Sequence, residues 1–92
     1  MSILTIEEGV LRFLGKLKRN NAGQNAVKIL TLANEPHPTN GKRLHGTKSN
    51  HHRIDSGEFR IVYSVQSEEI KILLVGRRND DDVTKELKRK DF

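Results

Sequence analysis

The hydrophobic period of this chain changes once, and that change limits what it can fold into. From Val10 to Ala33 the apolar residues recur at helical spacing, and from Phe59 to Val75 they alternate as in strands. Residues 5–19 read as an amphipathic helix, with Val10, Phe13, Leu14 and Leu17 on one stripe and Arg12, Lys16 and Lys18 off it. Thr5 followed by Glu8 fits a capping box, in which hydroxyl and carboxylate satisfy free amides of the first turn. Asn20, Asn21 and Gly23 interrupt the pattern. A second helix is expected from Gln24 to Ala33, with Ala26, Ile29, Leu30 and Ala33 sharing a face. The short polar connection implies an antiparallel helical hairpin, which ends in the stretch from Glu35 to Gly41 with Pro36, Pro38 and a closing Asn40-Gly41.

In the alternating half, Phe59, Ile61, Tyr63 and Val65 point one way and Arg60, Val62 and Ser64 the other. Gln66 to Glu69 make a polar turn. Beyond it Ile70, Ile72 and Leu74 alternate with Lys71, Leu73 and Val75, giving a second strand paired as a hairpin. His51 to Asp55 is a shorter strand, joined through Ser56-Gly57-Glu58. Residues 80–90 read as a short charged helix anchored by Val83 and Leu87. The expected fold is therefore α+β: an N-terminal helical hairpin packed on a twisted antiparallel sheet of three to four strands, with a short C-terminal helix. Such a sheet leaves its other face to solvent or ligand, and Arg60 falls on that face.

Composition narrows the function. A chain of 92 residues suits one domain, 1–92, and 34% hydrophobic residues make a small core that favours a stabilising partner. The absence of cysteine excludes disulfides, thiolate metal sites and thiol catalysis. Asp80, Asp81 and Asp82 lack a nearby histidine and read as a helix N-terminus rather than a metal site; no metal and no cofactor is expected. No apolar run is long enough to cross a membrane, and Glu7 and Glu8 follow Met1 to Thr5 where a signal peptide would continue apolar, so the cytoplasm is the expected location. The net charge of +5 points to an anionic partner. Its centre is the middle of the chain, where Lys42, Arg43, Lys48, Arg53 and Arg60 outnumber Asp55 and Glu58 and three histidines, His45, His51 and His52, join them.

Three runs carry a family likeness: Lys42-Arg43-Leu44-His45-Gly46, Arg53 through Tyr63, and Leu74-Val75-Gly76-Arg77-Arg78. Together they resemble toxins of the RelE/ParE superfamily, with a Leu-x-Gly turn, a basic strand leading to Gly-acid-aromatic-Arg-apolar-apolar-Tyr, and a last strand ending in a basic pair. The most specific part is Gly57 to Tyr63. Family members often begin with a clear strand, for which only Ser2 to Leu4 remain here. The resemblance implies two helices on a twisted antiparallel sheet and a type II toxin–antitoxin pair. In the RelE branch the toxin cuts mRNA at the ribosome; in the ParE branch the same fold poisons DNA gyrase, so the site must decide.

Metal-free RNA cleavage uses the 2′-hydroxyl as nucleophile and needs a base, an acid and cations around the phosphate. Arginine suits the last role because its planar fork grips two phosphate oxygens and keeps its charge. By the resemblance, Arg53, Arg60 and Arg78 match the family's functional basic positions and are expected to bind phosphate and stabilise the transition state. Ordinary solvated or ion-paired side chains are the competing reading. Two positions depart from the pattern. Asp55 stands where a second basic residue is usual, and Thr84 stands where the family often has a tyrosine. His51 and His52 are the natural substitutes, because an imidazole titrates near neutrality and can act as acid or base, and His52 is the one expected to be catalytic. If the strand alternates, one of the pair shares the Arg60 face; two exposed histidines at a strand edge are the competing reading. Lys42, Arg43, His45, Lys48, His51 and Arg77 are expected RNA or ribosome contacts, with a solvated loop as the alternative; His37, between two prolines, is structural, and Tyr63 belongs to the core. The leading expectation is a ribosome-dependent mRNA endonuclease held by an antitoxin. The alternatives are a gyrase inhibitor and a degenerate toxin that only binds antitoxin or RNA.

Overall fold

The computed structural model describes residues 3–35, 42–43 and 51–77, with backbone alone at 42–43. The chain order is β1 (Ile3–Ile6), α1 (Glu8–Gly15), α2 (Arg19–Asn34), β2 (Lys42–Arg43), β3 (His51–Ser56), β4 (Phe59–Gln66) and β5 (Glu69–Arg77). The strands form one sheet in the order β1-β5-β4-β3-β2. The expected antiparallel meander is β3-β4-β5, and β2 extends it. β1 makes the sheet mixed, because it runs parallel to β5 with Ile3 beside Glu69 and Ile6 beside Ile72. The expected proline turn and charged C-terminal helix, with His45, Lys48, Arg78 and Thr84, lie outside the described residues.

The start of the chain corrects the sequence reading. Thr5 is a strand residue rather than a helix cap, and its hydroxyl donates to Glu69 Oε2 at 3.1 Å. α1 starts at Glu8 with Glu7 at its N-cap and no side-chain cap bond. The aliphatic residues Ile3, Leu4 and Ile6 explain this. A capping box satisfies two amides, whereas a strand pairs a run of backbone groups with β5 and also packs side chains on the core.

The helix break also moves. α1 ends at Gly15, Leu17 packs from the connecting turn, and α2 begins at Arg19, running through Asn20, Asn21 and Gly23. Asn25 accounts for part of this: its Nδ2 donates to the Asn21 carbonyl at 2.8 Å, one turn back, and its side chain is buried. The inward face of α2 is Asn25, Ile29 and Leu32, not the expected Ala26, Ile29, Leu30 and Ala33. Leu30 is 60% exposed. The buried stripe includes a polar residue and shares only Ile29 with the face that apolar spacing suggests.

Both helices lie on one side of the sheet. Val10, Ile29 and Leu32 meet Ile54, Phe59, Ile61, Tyr63, Ile70, Ile72 and Val75, with Phe13, Leu14 and Leu17 packed at the margin. Phe13 meets Phe59 edge to face, with ring centroids 6.1 Å apart.

Two tight turns set the hairpin registers. Gly57, at φ +60, leads the β3–β4 turn, and Ser67, at φ +53, the β4–β5 turn. The positive φ calls for glycine at position 57; an added Cβ would also come within 2.7 Å of the Gln24 amide of α2, the far end of a flexible side chain that can move aside. Between β4 and β5 the register jumps from Val62 opposite Leu74 to Tyr63 opposite Ile72, leaving Leu73 as an extra residue. This bulge exchanges the two sides of β5 partway along. Ile70 and Ile72 face the helices as expected, but Val75 follows them there and Leu74 goes to the other side beside Val62.

Candidate functional site

The face of the sheet turned away from the helices collects the charged residues. Ladder partners share a face, so Arg60 lies between Asp55 on β3 and Gly76 on β5. The next row is Arg53, Val62 and Leu74, with Lys42 of β2 beside Arg53. The row beyond holds His51, Ser64 and Lys71. Arg53 and Arg60 thus come from adjacent strands onto one surface. This face is less open to water than expected: Val62 is wholly buried, and Leu74 and His51 nearly so. Val62 sits on a central strand, flanked by Arg53 on one side and Leu74 on the other.

The two arginines differ in their surroundings. Arg60 Nε donates to Asp55 Oδ1 at 3.2 Å in a half-buried ion pair. Arg53 makes no ion pair or side-chain hydrogen bond with another described residue. Gly76 opposite Arg60 has no side chain to crowd it.

The histidines divide between the faces. His51 shares the Arg60 side. His52, expected as the acid or base, lies on the helix side, where its ring stacks on Tyr63 at 5.6 Å between centroids. Burial raises the Tyr63 phenol above its ordinary value. Arg77 lies directly across from Phe59, hence also on the helix side. Its guanidinium sits 5.2 Å over the Phe59 ring and 3.5 Å from Glu58. Lys42 is on the Arg60 side by register, and Arg43 pairs with His52.

Sequence reasoning treated Asp55 as a departure and missed its contact with Arg60. The signal was present: in a hairpin closed by the two residues Gly57 and Glu58, positions 55 and 60 must face each other. A cleft of about 670 Å³ between α2 and this turn, lined by Arg19, Gln24, Lys28 and Ser56, also reaches Asp55.

This arrangement of a short first strand and two helices on one side of a mixed sheet has counterparts among solved structures. RelE in the archaeal RelE–RelB complex of Pyrococcus horikoshii superposes with a TM-score of 0.73 at 26% identity, over 84% of this chain and 94% of that one. The fold is that of the RelE toxins. A free-state mutant of E. coli toxin RelE matches this RelE-like chain with a TM-score of 0.78 at 22% identity, over 99% of this chain and 98% of its own. The intact E. coli RelBE toxin–antitoxin complex matches at 0.69 and 24% identity, over 84% and 96%. No family model matches the chain, and no curated protein matches it in sequence.

Proposed function

We propose that this RelE-like chain is the toxin of a toxin–antitoxin pair, and that it is a metal-independent endoribonuclease cutting ribosome-bound mRNA in the cytoplasm. The toxin role is supported by the fold and by its likeness to toxins solved with their antitoxins. Among the described residues no helix is long and apolar enough to cross a membrane.

The observation that carries the nuclease reading is the pairing of Arg53 and Arg60 on one face, in adjacent rows of neighbouring strands. In-line attack of a 2′-hydroxyl on the next phosphate concentrates negative charge on the phosphoryl oxygens. Fixed guanidinium groups stabilise that charge more than they stabilise the ground state. Rigid strands hold both groups ready, so little reorganisation is needed at the moment of reaction. Arg78 is the third cation in this reading. Of the two adjacent histidines, His51 is on the working side, so proton transfer falls to it before His52. Lys42, placed on the same side by the β2–β3 register, adds a cation to this face. The antitoxin acts by masking this face.

Primer extension on a reporter mRNA, with and without ribosomes, tests the reading. The expected result is new 5′ ends only with ribosomes, absent with Arg60→Ala. Intact mRNA together with growth arrest would contradict it and direct attention to gyrase, a target that the Thr84 departure also leaves open.

A further inference from the structure

We propose that Asp55 is a positioning residue for Arg60: by holding Nε from the facing strand, it presents the outer edge of the guanidinium to the scissile phosphate. This rests on the proposal that the Arg60 face handles RNA. The register makes the pair an obligate neighbour, because the two-residue turn at Gly57 and Glu58 puts Asp55 and Arg60 opposite each other. The contact is at Nε, 3.2 Å from Asp55 Oδ1. Guanidinium has five N–H donors, and Nε carries one of them. The four on the two Nη nitrogens make no other hydrogen bond or ion pair within the described residues. They form the flat edge that matches two oxygens of a phosphate.

The surroundings favour orientation over simple charge storage. The Arg60 side chain is 23% exposed and that of Asp55 40%, so the pair is only partly screened by water. On β5 the ladder partner of Arg60 is Gly76, which offers no side chain to fix the guanidinium plane. Asp55 supplies that restraint. Its negative charge has the opposite effect on binding, since it cancels part of the attraction that Arg60 exerts on any phosphate. Asp55 thus weakens ground-state binding while it sharpens transition-state geometry. Its removal should move affinity and rate in opposite directions, a signature that a purely structural residue does not give.

The test compares the wild type with Asp55→Ala, Asp55→Asn and Asp55→Glu. Three quantities are measured: melting temperature, binding of a 2′-O-methylated RNA oligonucleotide that cannot be cut, and the single-turnover rate on ribosome-bound mRNA at saturating protein. Asp55→Ala should bind the oligonucleotide about threefold to tenfold more tightly at low salt, and cut about tenfold to a hundredfold more slowly. Asp55→Asn keeps an oxygen acceptor for Nε without the charge. It should bind as tightly as Asp55→Ala yet recover much of the lost rate, and Asp55→Glu should recover rate without gaining affinity. Equal rates for Asp55→Ala and the wild type would overturn the positioning role, and so would an asparagine variant as slow as the alanine one, which would make the carboxylate a proton acceptor. A wild type that cuts no RNA would overturn the nuclease reading and this role with it. A wild type that cuts, unaffected by Asp55→Ala, overturns the positioning role alone.

Discussion

On the helix side of β4, Phe59, Ile61 and Tyr63 are buried against Val10, Ile29 and Leu32; on the far side of the same strand, Arg60, Val62 and Ser64 face Asp55, Arg53 and His51 of β3. The backbone is shared, so the difference lies entirely in which residues the pleat sends each way. On the helix side, energy comes from area removed from water and from close packing, and no single group is asked to do chemistry. On the far side, the buried Val62 shares the surface with Arg53 and Arg60. A strand that is core on one side can hold charges on the other with far less freedom than a loop allows, which is what a phosphate-binding group needs.

This contrast can be broken deliberately. Phe59→Ala should have the largest effect, because it empties a fully buried site and removes the contacts to the Phe13 ring and the Arg77 guanidinium. A loss of about 3–5 kcal/mol is expected by denaturant unfolding, enough to unfold much of a domain this small. Gly57→Ala strikes the turn that sets the β3–β4 register. Strain at positive φ should cost about 1–3 kcal/mol, while the Gln24 amide, at the end of a flexible side chain, can swing aside. Gln24→Ala in the same background should therefore restore little of the loss.

Tyr63 sharpens the comparison through pH. Burial raises its folded-state value above the ordinary 10.0, so the folded chain holds the phenolic proton more tightly than the unfolded chain does. The stability this contributes is complete below the unfolded value, near pH 10, and is lost as pH rises through the folded value. Melting temperature should therefore fall in strong alkali, and the fall should be smaller in Tyr63→Phe. The chain has one tyrosine and no tryptophan, so phenolate absorbance follows this group alone. The smallest effect belongs to Lys71, on the far face, whose ammonium lies 3.0 Å from Glu7 in a half-exposed pair. Lys71→Ala should shift stability by less than about 1 kcal/mol, and a larger loss would mean that charges on this side also hold the fold.

Much of this organisation was legible in the residues. Strict alternation from Phe59 to Val65 specified β4 and placed Arg60 away from the core, and the stripe of Val10, Phe13, Leu14 and Leu17 specified the packing of α1. What was hidden depended on long-range pairing. Thr5 and Glu8 satisfy the local rule for a helix cap, but β5, far along the chain, gives Ile3 to Ile6 a ladder to join. Leu73 looks like any alternating residue, and a bulge cannot be seen without knowing which residues of β4 lie opposite. Asn25 reads as polar and outward until its amide is found bonded back to Asn21. At the site, the family likeness singled out Arg53 and Arg60, and the β3–β4 register put them on one face. Choosing between His51 and His52 required the register, and Asp55 looked like a lost cation until the hairpin showed it gripping one.

The proposed division of labour is that the far face works while the helix side holds the fold. Its most direct test measures Arg60→Ala twice on one preparation, by thermal melting and by primer extension on translated mRNA. A melting temperature close to that of the wild type and cleavage reduced by at least about a hundredfold are expected. Undiminished cleavage by a folded Arg60→Ala protein would contradict it, as would a loss of cleavage that merely follows a loss of fold.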